Sequence, residues 1–160
     1  MILQKLLYMN NEFISSTESL ALKELGFNEK CSSFYNHNSQ LVRYVNLDKE
    51  LDSVSKQTLK NSNIKLPDTY TAPTWRQAFN FFRTKYGLSG SVNSSMRNDI
   101  QVNYFTVHEL KNRLMKSNFF NYKISPMYNT YEKSELACLK FLIHKVTNQI
   151  KELNKTKTNG

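Results

Sequence analysis

Apolar residues in the middle of the chain recur at the spacing of one helix face. Thr74 suits the N-cap, Gln77 lies three residues later as a capping box requires, and Gly87 suits the left-handed position beyond the last turn. The pattern predicts a helix over 74–86, with Phe81 at the boundary of its apolar face. A platform for stacked bases is the alternative use of that face, although such platforms usually lie on strands or loops. The face comprises Trp75, Ala78, Phe79, Phe82 and Tyr86.

A shorter helix is predicted near the start of the chain, over 17–25. Ser16 or Thr17 provides its cap, and Gly26 ends it. Phe27 follows the glycine and can pack back on the last turn, as in a Schellman ending.

The longest predicted helix runs from Tyr131 to about Leu153 and is capped by Thr130. Its apolar residues are spaced alternately by three and four, and the stripe widens in the first half, where we expect it to be buried. A coiled-coil contact between protomers is the alternative. The stripe comprises Leu136, Leu139, Ile143, Val146, Ile150 and Leu153, widened by Cys138, Phe141 and Leu142. Across both major helices, we expect a core of Trp75, Phe79, Phe82, Leu139, Ile143 and Val146.

Alternating apolar and polar residues predict strands between the helices. The first two strands form a hairpin around the turn 36–39, and residues 94–99 connect a second pair. The predicted strands are 32–35, 40–45, 88–95, 100–107 and 119–124. The remaining segments carry weaker patterns: an edge strand or loose arm over 1–11, a short helix within 47–59, a loop over 60–72 and a helical connector over 108–116.

These elements predict an α+β fold in which a small antiparallel sheet packs against two or three capped amphipathic helices. At 160 residues, with 39% hydrophobic and 12% aromatic residues, the chain is long enough for one packed domain. We expect that domain over 1–153 and a frayed polar tail over 154–160. Without an apolar run of membrane-spanning length or a signal-peptide pattern, a soluble protein of the bacterial cytoplasm with two reduced thiols is expected.

The net charge of +9 is unevenly distributed. Residues 1–73 hold eight basic and eight acidic residues, whereas 74–87 hold three basic and no acidic ones, and 107–160 hold ten and four. The excess suggests a nucleic acid or an acidic protein surface as partner, although a solvated basic face is the alternative. The candidate binding residues are Arg76, Arg83, Lys85, Lys111, Arg113, Lys116, Lys140, Lys145 and Lys151.

Catalytic patterns are not evident in the sequence. Glu132 and Glu135 are typical first-turn helix acids, and no Cys/His or Asp/Glu cluster has metal-ligand spacing. Gly87 and Gly90 follow a helix and precede a strand, which is the reverse of the order in a phosphate loop. Cys138 lies on an apolar flank and is expected to be an inert core thiol. We therefore predict a non-enzymatic protein without a metal or cofactor.

Three segments resemble motifs of a family of small proteins encoded by phages, prophages and other mobile elements of Bacteroidetes-type genomes. They are LALKELGFNEKC (20–31), TWRQAFNFFRTKYGL (74–88) and TYEKSELACLKFLI (130–143). The chain departs from the family at Asn80 and Phe81, where that helix often carries an aromatic pair with Trp. The resemblance implies a mobile-element accessory protein and no catalytic residues. Some such proteins inhibit host defence, including anti-CRISPR proteins, so a host protein or ribonucleoprotein is the expected partner and direct RNA or DNA binding is the alternative.

Overall fold

The computed structural model describes residues 12–43, 60–65, 67–109 and 120–158. It confirms the α+β class, with three helices and two antiparallel sheets among these residues. The predictions for 1–11, 47–59 and most of the connector at 108–116 fall outside the described residues. The elements in chain order are α1 (Ser16–Glu24), β1 (Ser33–Tyr35), β2 (Leu41–Arg43), a 3₁₀ helix (Asn61–Asn63), β3 (Tyr70–Thr71), α2 (Trp75–Tyr86), β4 (Leu88–Arg97), β5 (Ile100–Glu109), β6 (Phe120–Ile124) and α3 (Tyr131–Thr158).

The chain divides into two compact units, Met1–Ala78 and Phe79–Gly160, and the division falls within α2. In the first unit, the antiparallel sheet has the order β2-β1-β3. The predicted hairpin is confirmed, and the Asn36 side-chain oxygen closes its turn by accepting from the backbone N–H groups of Asn38 and Gln40. A buried cluster consists of Phe13, Tyr35, Tyr70 and Ala72.

A long-range backbone contact determines the start of α1, and neighbouring residues determine its end. The N-cap is Ser15, one residue before the predicted Ser16 or Thr17, because Ile14 is still paired through its N–H with the Pro73 carbonyl. At the other end, Gly26 has a φ of 85°, and the Phe27 N–H donates to the Leu22 carbonyl at 2.9 Å. The Schellman ending is therefore confirmed.

The segment predicted as a loop over 60–72 contains the 3₁₀ helix and β3. Asn61 connects them to the rest of the first unit. Its side-chain amide donates to the Phe27 carbonyl at 2.7 Å, and its side-chain oxygen accepts from the Thr71 N–H at 2.9 Å. These bonds join residues far apart in sequence, so no local pattern indicated them.

The start and end of α2 agree with the prediction. The Thr74 N–H donates to the Gln77 side-chain oxygen at 3.0 Å, and the Gln77 N–H donates to the Thr74 hydroxyl at 3.3 Å. Gly87 is left-handed, with a φ of 65°. The predicted core is wrong in part, since Trp75 and Phe79 are only half-buried.

Phe81, predicted at the boundary of the α2 apolar face, is buried in the second unit. Its ring makes edge contacts with Phe82 and Tyr86 at centroid distances of 5.4 and 5.5 Å. Such contacts add to the gain from burying the ring. Phe81 is therefore a core residue of the second unit, which its position in the helical pattern does not indicate.

The second unit contains an antiparallel sheet in the order β4-β5-β6. β4 and β5 pair without interruption from Leu88↔Glu109 to Arg97↔Ile100. Only Asn98 and Asp99 connect them, with φ values of 47° and 61°, as a type I′ turn requires. The longer connection predicted over 94–99 is therefore wrong, and His108, predicted in a helical connector, lies in β5.

α3 lies against β4 and β5. The Thr130 cap is confirmed by a 3.2 Å hydrogen bond from the Lys133 N–H to the Thr130 hydroxyl. The first half of the stripe is buried as predicted, at Cys138, Leu139, Leu142 and Val146, although Ile143 is half-buried. Farther along, Ile150 and Leu153 are 36% and 62% exposed.

The end of α3 differs from the prediction, since the tail expected to fray from 154 is helical as far as Thr158. Lys155 donates to the Glu152 carboxylate at 2.9 Å in this last part. Lysines near a helix C-terminus also interact favourably with the helix dipole. None of the helices in the described ranges is long and apolar enough to cross a membrane.

Candidate polyanion-binding surface

A row of basic side chains follows the outer face of α3. We call these residues the α3 stripe: Lys133, Lys140, His144, Lys151 and Lys155. All five side chains are exposed. At 1.5 Å per residue, the stripe is about 33 Å long.

Helical geometry places the stripe opposite the buried face of α3. At 100° per residue, the five stripe residues lie within about 60° of one another around the axis. Their mean direction is about 170° from that of the buried face, which consists of Ser134, Cys138, Leu139, Leu142 and Val146. Contacts of the buried face with the sheet therefore point the stripe to solvent.

Most acidic residues of α3 lie on other sides of the helix than the α3 stripe. Glu132 and Glu135 are on other sides of the helix, and Glu152 accepts a hydrogen bond from Lys155 at the far end of the stripe. That exposed i,i+3 pair contributes little to stability. Of the acidic residues of α3 itself, Glu152 is therefore paired with a lysine of the stripe.

Lys145, a predicted binding residue, is engaged within the second unit. Its ammonium lies 2.5 Å from the Glu109 carboxylate, and both side chains are 28% exposed. The pair joins α3 to the end of β5. The charge of Lys145 is thus largely compensated by a partner in the same unit.

The basic residues of α2 are exposed, but they are not equivalent. Arg76 belongs to the first unit, and Arg83 and Lys85 belong to the second. The Lys85 ammonium lies over the rings of Phe81 and Tyr86, 5.2 and 5.4 Å from their centroids. Lys111, Arg113 and Lys116 lie outside the described residues, and their role stays a prediction.

The predicted set of binding residues omitted Lys133 and Lys155, which the structure places in line with Lys140 and Lys151. The signal was available in the spacing. Lys133 and Lys140 are seven residues apart, as are His144 and Lys151, and seven residues make nearly two helical turns. The missing information was which side of α3 would be buried.

Neither thiol has the environment of a nucleophile. Burial raises the pKa of Cys138 to about 12 and that of Cys31 to about 11. Both are therefore protonated near pH 7. Within the described ranges, no three His, Cys, Asp or Glu side chains come together as a metal site would need.

The three segments on which the expected family resemblance rests coincide with the three helices: 20–31 covers the end of α1, 74–88 covers α2, and 130–143 covers the start of α3. The motifs in these segments therefore consist of residues at the ends of the helices and on their apolar faces. In comparisons with known proteins, no family model, curated protein or solved structure matches the chain.

Proposed function

We propose that this protein is a non-enzymatic accessory protein of a phage or mobile element that binds and inhibits a nucleic-acid-dependent host defence complex, such as an RNA-guided nuclease. The α3 stripe is the observation that carries the proposal. The resemblance of 20–31, 74–88 and 130–143 to phage proteins supports the biological setting.

The stripe suits an extended polyanionic target. Its lysines are attached to a helix whose opposite face is buried, so their backbone positions are held in one line about 33 Å long. A row of like charges raises the rate of encounter with an oppositely charged surface, and this effect falls as salt rises. Nucleic acid held by a defence complex, or an acidic protein surface within it, offers such a target.

Direct binding of RNA or DNA is the second candidate function. Lysine favours it because an ammonium contacts phosphate as a point charge, without reading bases. Four stripe lysines that each neutralise one phosphate would give a log–log salt slope of about −3.6 on duplex DNA and about −2.8 on a single strand. Binding of this kind would be weakly selective for sequence.

Affinity purification at two salt concentrations separates the candidates. The tagged protein is expressed in its host and captured at moderate and high salt, and the protein and nucleic acid retained with it are identified. One defence protein or ribonucleoprotein retained at high salt supports the inhibitor. Heterogeneous nucleic acid that is lost as salt rises supports the second candidate, and capture of neither contradicts both.

A matched pair of variants tests whether the α3 stripe carries the binding. Lys133→Glu/Lys151→Glu reverses two stripe charges, and Lys30→Glu/Lys65→Glu makes the same change at exposed lysines of the first unit. We expect only the first variant to lose the captured partner while its circular dichroism stays unchanged. Equal losses in both variants would show that net charge matters and the stripe does not.

A further inference from the structure

Among the described strands, β4 forms an edge of the second sheet, and its own residues carry few of the features that usually protect an edge strand. In the order β4-β5-β6, it pairs with β5 on one side and with no described strand on the other. Natural edges are commonly short, bulged or interrupted by proline or charge. β4 has ten residues, an unbroken register and a single charge, at Arg97. The edges of the first sheet, β2 and β3, have three and two residues.

The tight turn determines which backbone groups of β4 face the open side. A type I′ turn is closed by a hydrogen bond from the Ile100 N–H to the Arg97 carbonyl, so these two residues form a hydrogen-bonded pair. Such pairs alternate along an antiparallel ladder. The N–H and C=O groups directed away from β5 therefore belong to Leu88, Gly90, Val92, Ser94 and Met96.

Hydrogen bonds on the far side of β5 support this assignment. Asn103 is the partner of Ser94, and its N–H and C=O bond with Tyr128 at 2.9 and 2.6 Å. The carbonyl of Phe105, the partner of Val92, accepts from the Ser125 N–H at 3.0 Å. Since these groups of β5 point away from β4, those of Val92 and Ser94 point to the open edge.

Side chains of β4 bond across to β5 and do not turn back over the open edge. The Ser91 and Thr106 hydroxyls are 2.8 Å apart, and the Asn93 amide donates to Thr106 at 3.3 Å. On the other face, the Ser94 hydroxyl donates to the Asn103 side-chain oxygen at 2.6 Å. These contacts hold β4 in register along β5, and among the described strands the outer backbone groups of β4 have no pairing partner.

We propose that β4 pairs with β4 of a second copy of this chain, antiparallel, to form one continuous six-stranded sheet. The two strands have equal length. Their overlap places the two Arg97 side chains at opposite ends of the interface, and the other nine residues bring no like charges together. A charged foreign strand would find no opposite charge on those nine residues. Serine and asparagine side chains would face each other across the pair and hydrogen-bond.

The symmetry of this pairing has a consequence for the α3 stripe. A two-fold axis between antiparallel strands is perpendicular to the sheet, so both copies of α3 lie on the same side of it. Both stripes would then point away from the sheet in the same direction. The pairing itself rests on the β4 edge alone and does not depend on the proposed function.

The first test is the molar mass measured by light scattering over a dilution series at moderate salt, which screens repulsion between two chains of +9 charge. We expect the mass to rise from 18.8 kDa toward twice that value with concentration. Ser94→Pro removes an open-edge N–H and should raise the dimer dissociation constant about tenfold or more. Ser94→Ala, which loses the same hydroxyl but keeps the N–H, should dimerise as the parent chain does.

The second test uses the unmodified chain, so it holds even if Ser94→Pro fails to fold. Amide hydrogen exchange is measured by NMR at low and high concentration. Exchange should slow with concentration at Gly90, Val92 and Ser94, whereas Ser91, Asn93 and Ser95 already bond to β5 and should not change. A chain that stays at 18.8 kDa, or equal changes in both sets of amides, would overturn the proposal.

Discussion

Gly90 and Cys138 are in such close contact that a side chain at Gly90 has no room. A Cβ atom built on Gly90 would lie 2.7 Å from the Cys138 sulfur and 3.1 and 3.2 Å from atoms of Phe79 and Leu142. Gly90 does not have a positive φ, so glycine is required here by space and not by backbone conformation. This contact lets α3 approach β4 closely.

Gly90→Ala is expected to lower the free energy of unfolding by about 1–3 kcal/mol, since it overpacks a buried contact. Urea denaturation measures the change. Adding Cys138→Ala removes the sulfur nearest to the new methyl group, so the double variant should lose less than the sum of the two single variants. Strictly additive losses would mean that the two residues do not compete for this space.

Stability should fall at alkaline pH because the two buried thiols resist ionisation. The pKa of Cys138 is raised by burial from 9.0 to about 12, so the folded state keeps a proton that the unfolded state releases above pH 9. The stabilising contribution is complete below pH 9 and is lost as pH rises toward 12. At pH 10 the loss is about 1.4 kcal/mol for this thiol.

Urea denaturation at pH 8 and pH 10 tests the contribution of Cys138. Cys138→Ala should lose less stability between these two values than the parent chain, because the variant has no thiol to ionise at this position. Cys31→Ala is measured for comparison. Burial raises the pKa of that thiol to about 11, so this variant should also lose less stability between pH 8 and pH 10 than the parent chain. An unchanged pH dependence in Cys138→Ala would contradict the assignment.

Ionisation of Glu135 should destabilise the folded state, whereas ionisation of most carboxylates stabilises it. Burial, and then the neighbouring Glu132 carboxylate, raise the pKa of Glu135 above 4.5. The folded state therefore holds the proton more tightly, and stability declines as pH rises from 4.5 through the raised value. Glu135→Gln should be more stable than the parent at pH 7 and nearly equal at pH 4, measured as thermal midpoints. A less stable variant at pH 7 would refute this.

The reciprocal hydrogen bonds of Thr74 and Gln77 should stabilise the start of α2. Thr74→Ala is expected to cost about 1 kcal/mol, while Thr74→Ser keeps the hydroxyl and should cost little. Thr84→Ala on the same helix is the matched control: Thr84 is exposed, and its change should stay within about 0.5 kcal/mol. Equal losses at both threonines would show that the capping hydrogen bonds of Thr74 are not the cause.

The salt dependence of RNA binding tests whether Lys140 contacts phosphate. If it does, Lys140→Gln should reduce the magnitude of the log–log salt slope on single-stranded RNA by about 0.7. Lys30→Gln should leave the slope unchanged. Fluorescence anisotropy over a salt series provides both values, and an unaltered slope in Lys140→Gln would exclude that contact.

Features that depend on neighbouring residues were predicted well from the sequence. The capping box at Thr74, the Schellman ending at Gly26 and the left-handed Gly87 all follow from side chains or backbone freedom within a few positions. The Asn98-Asp99 turn is equally local, because Asn and Asp both tolerate the positive φ that it requires. These two residues are therefore typical of a two-residue turn, and the predicted longer connection over 94–99 is wrong.

Long-range contacts explain the other discrepancies. Asn61 bonds to Phe27 and Thr71, which lie ten or more residues away. Phe81 is buried although its position in the helical pattern of α2 does not indicate this. Periodicity ranks positions along one helix, but it does not show which neighbours cover them. The core list was therefore only partly correct.

The α3 stripe shows the same division between local and tertiary causes. By itself, the sequence determined that residues near the end of the chain form a long amphipathic helix rich in lysine, because spacing and capping act within a few turns. The tertiary structure decided which lysines are exposed together and that Lys145 pairs with Glu109. The physical reason is that burial against β4 and β5, made possible by the missing side chain at Gly90, selects one face of α3 and leaves the opposite face to solvent.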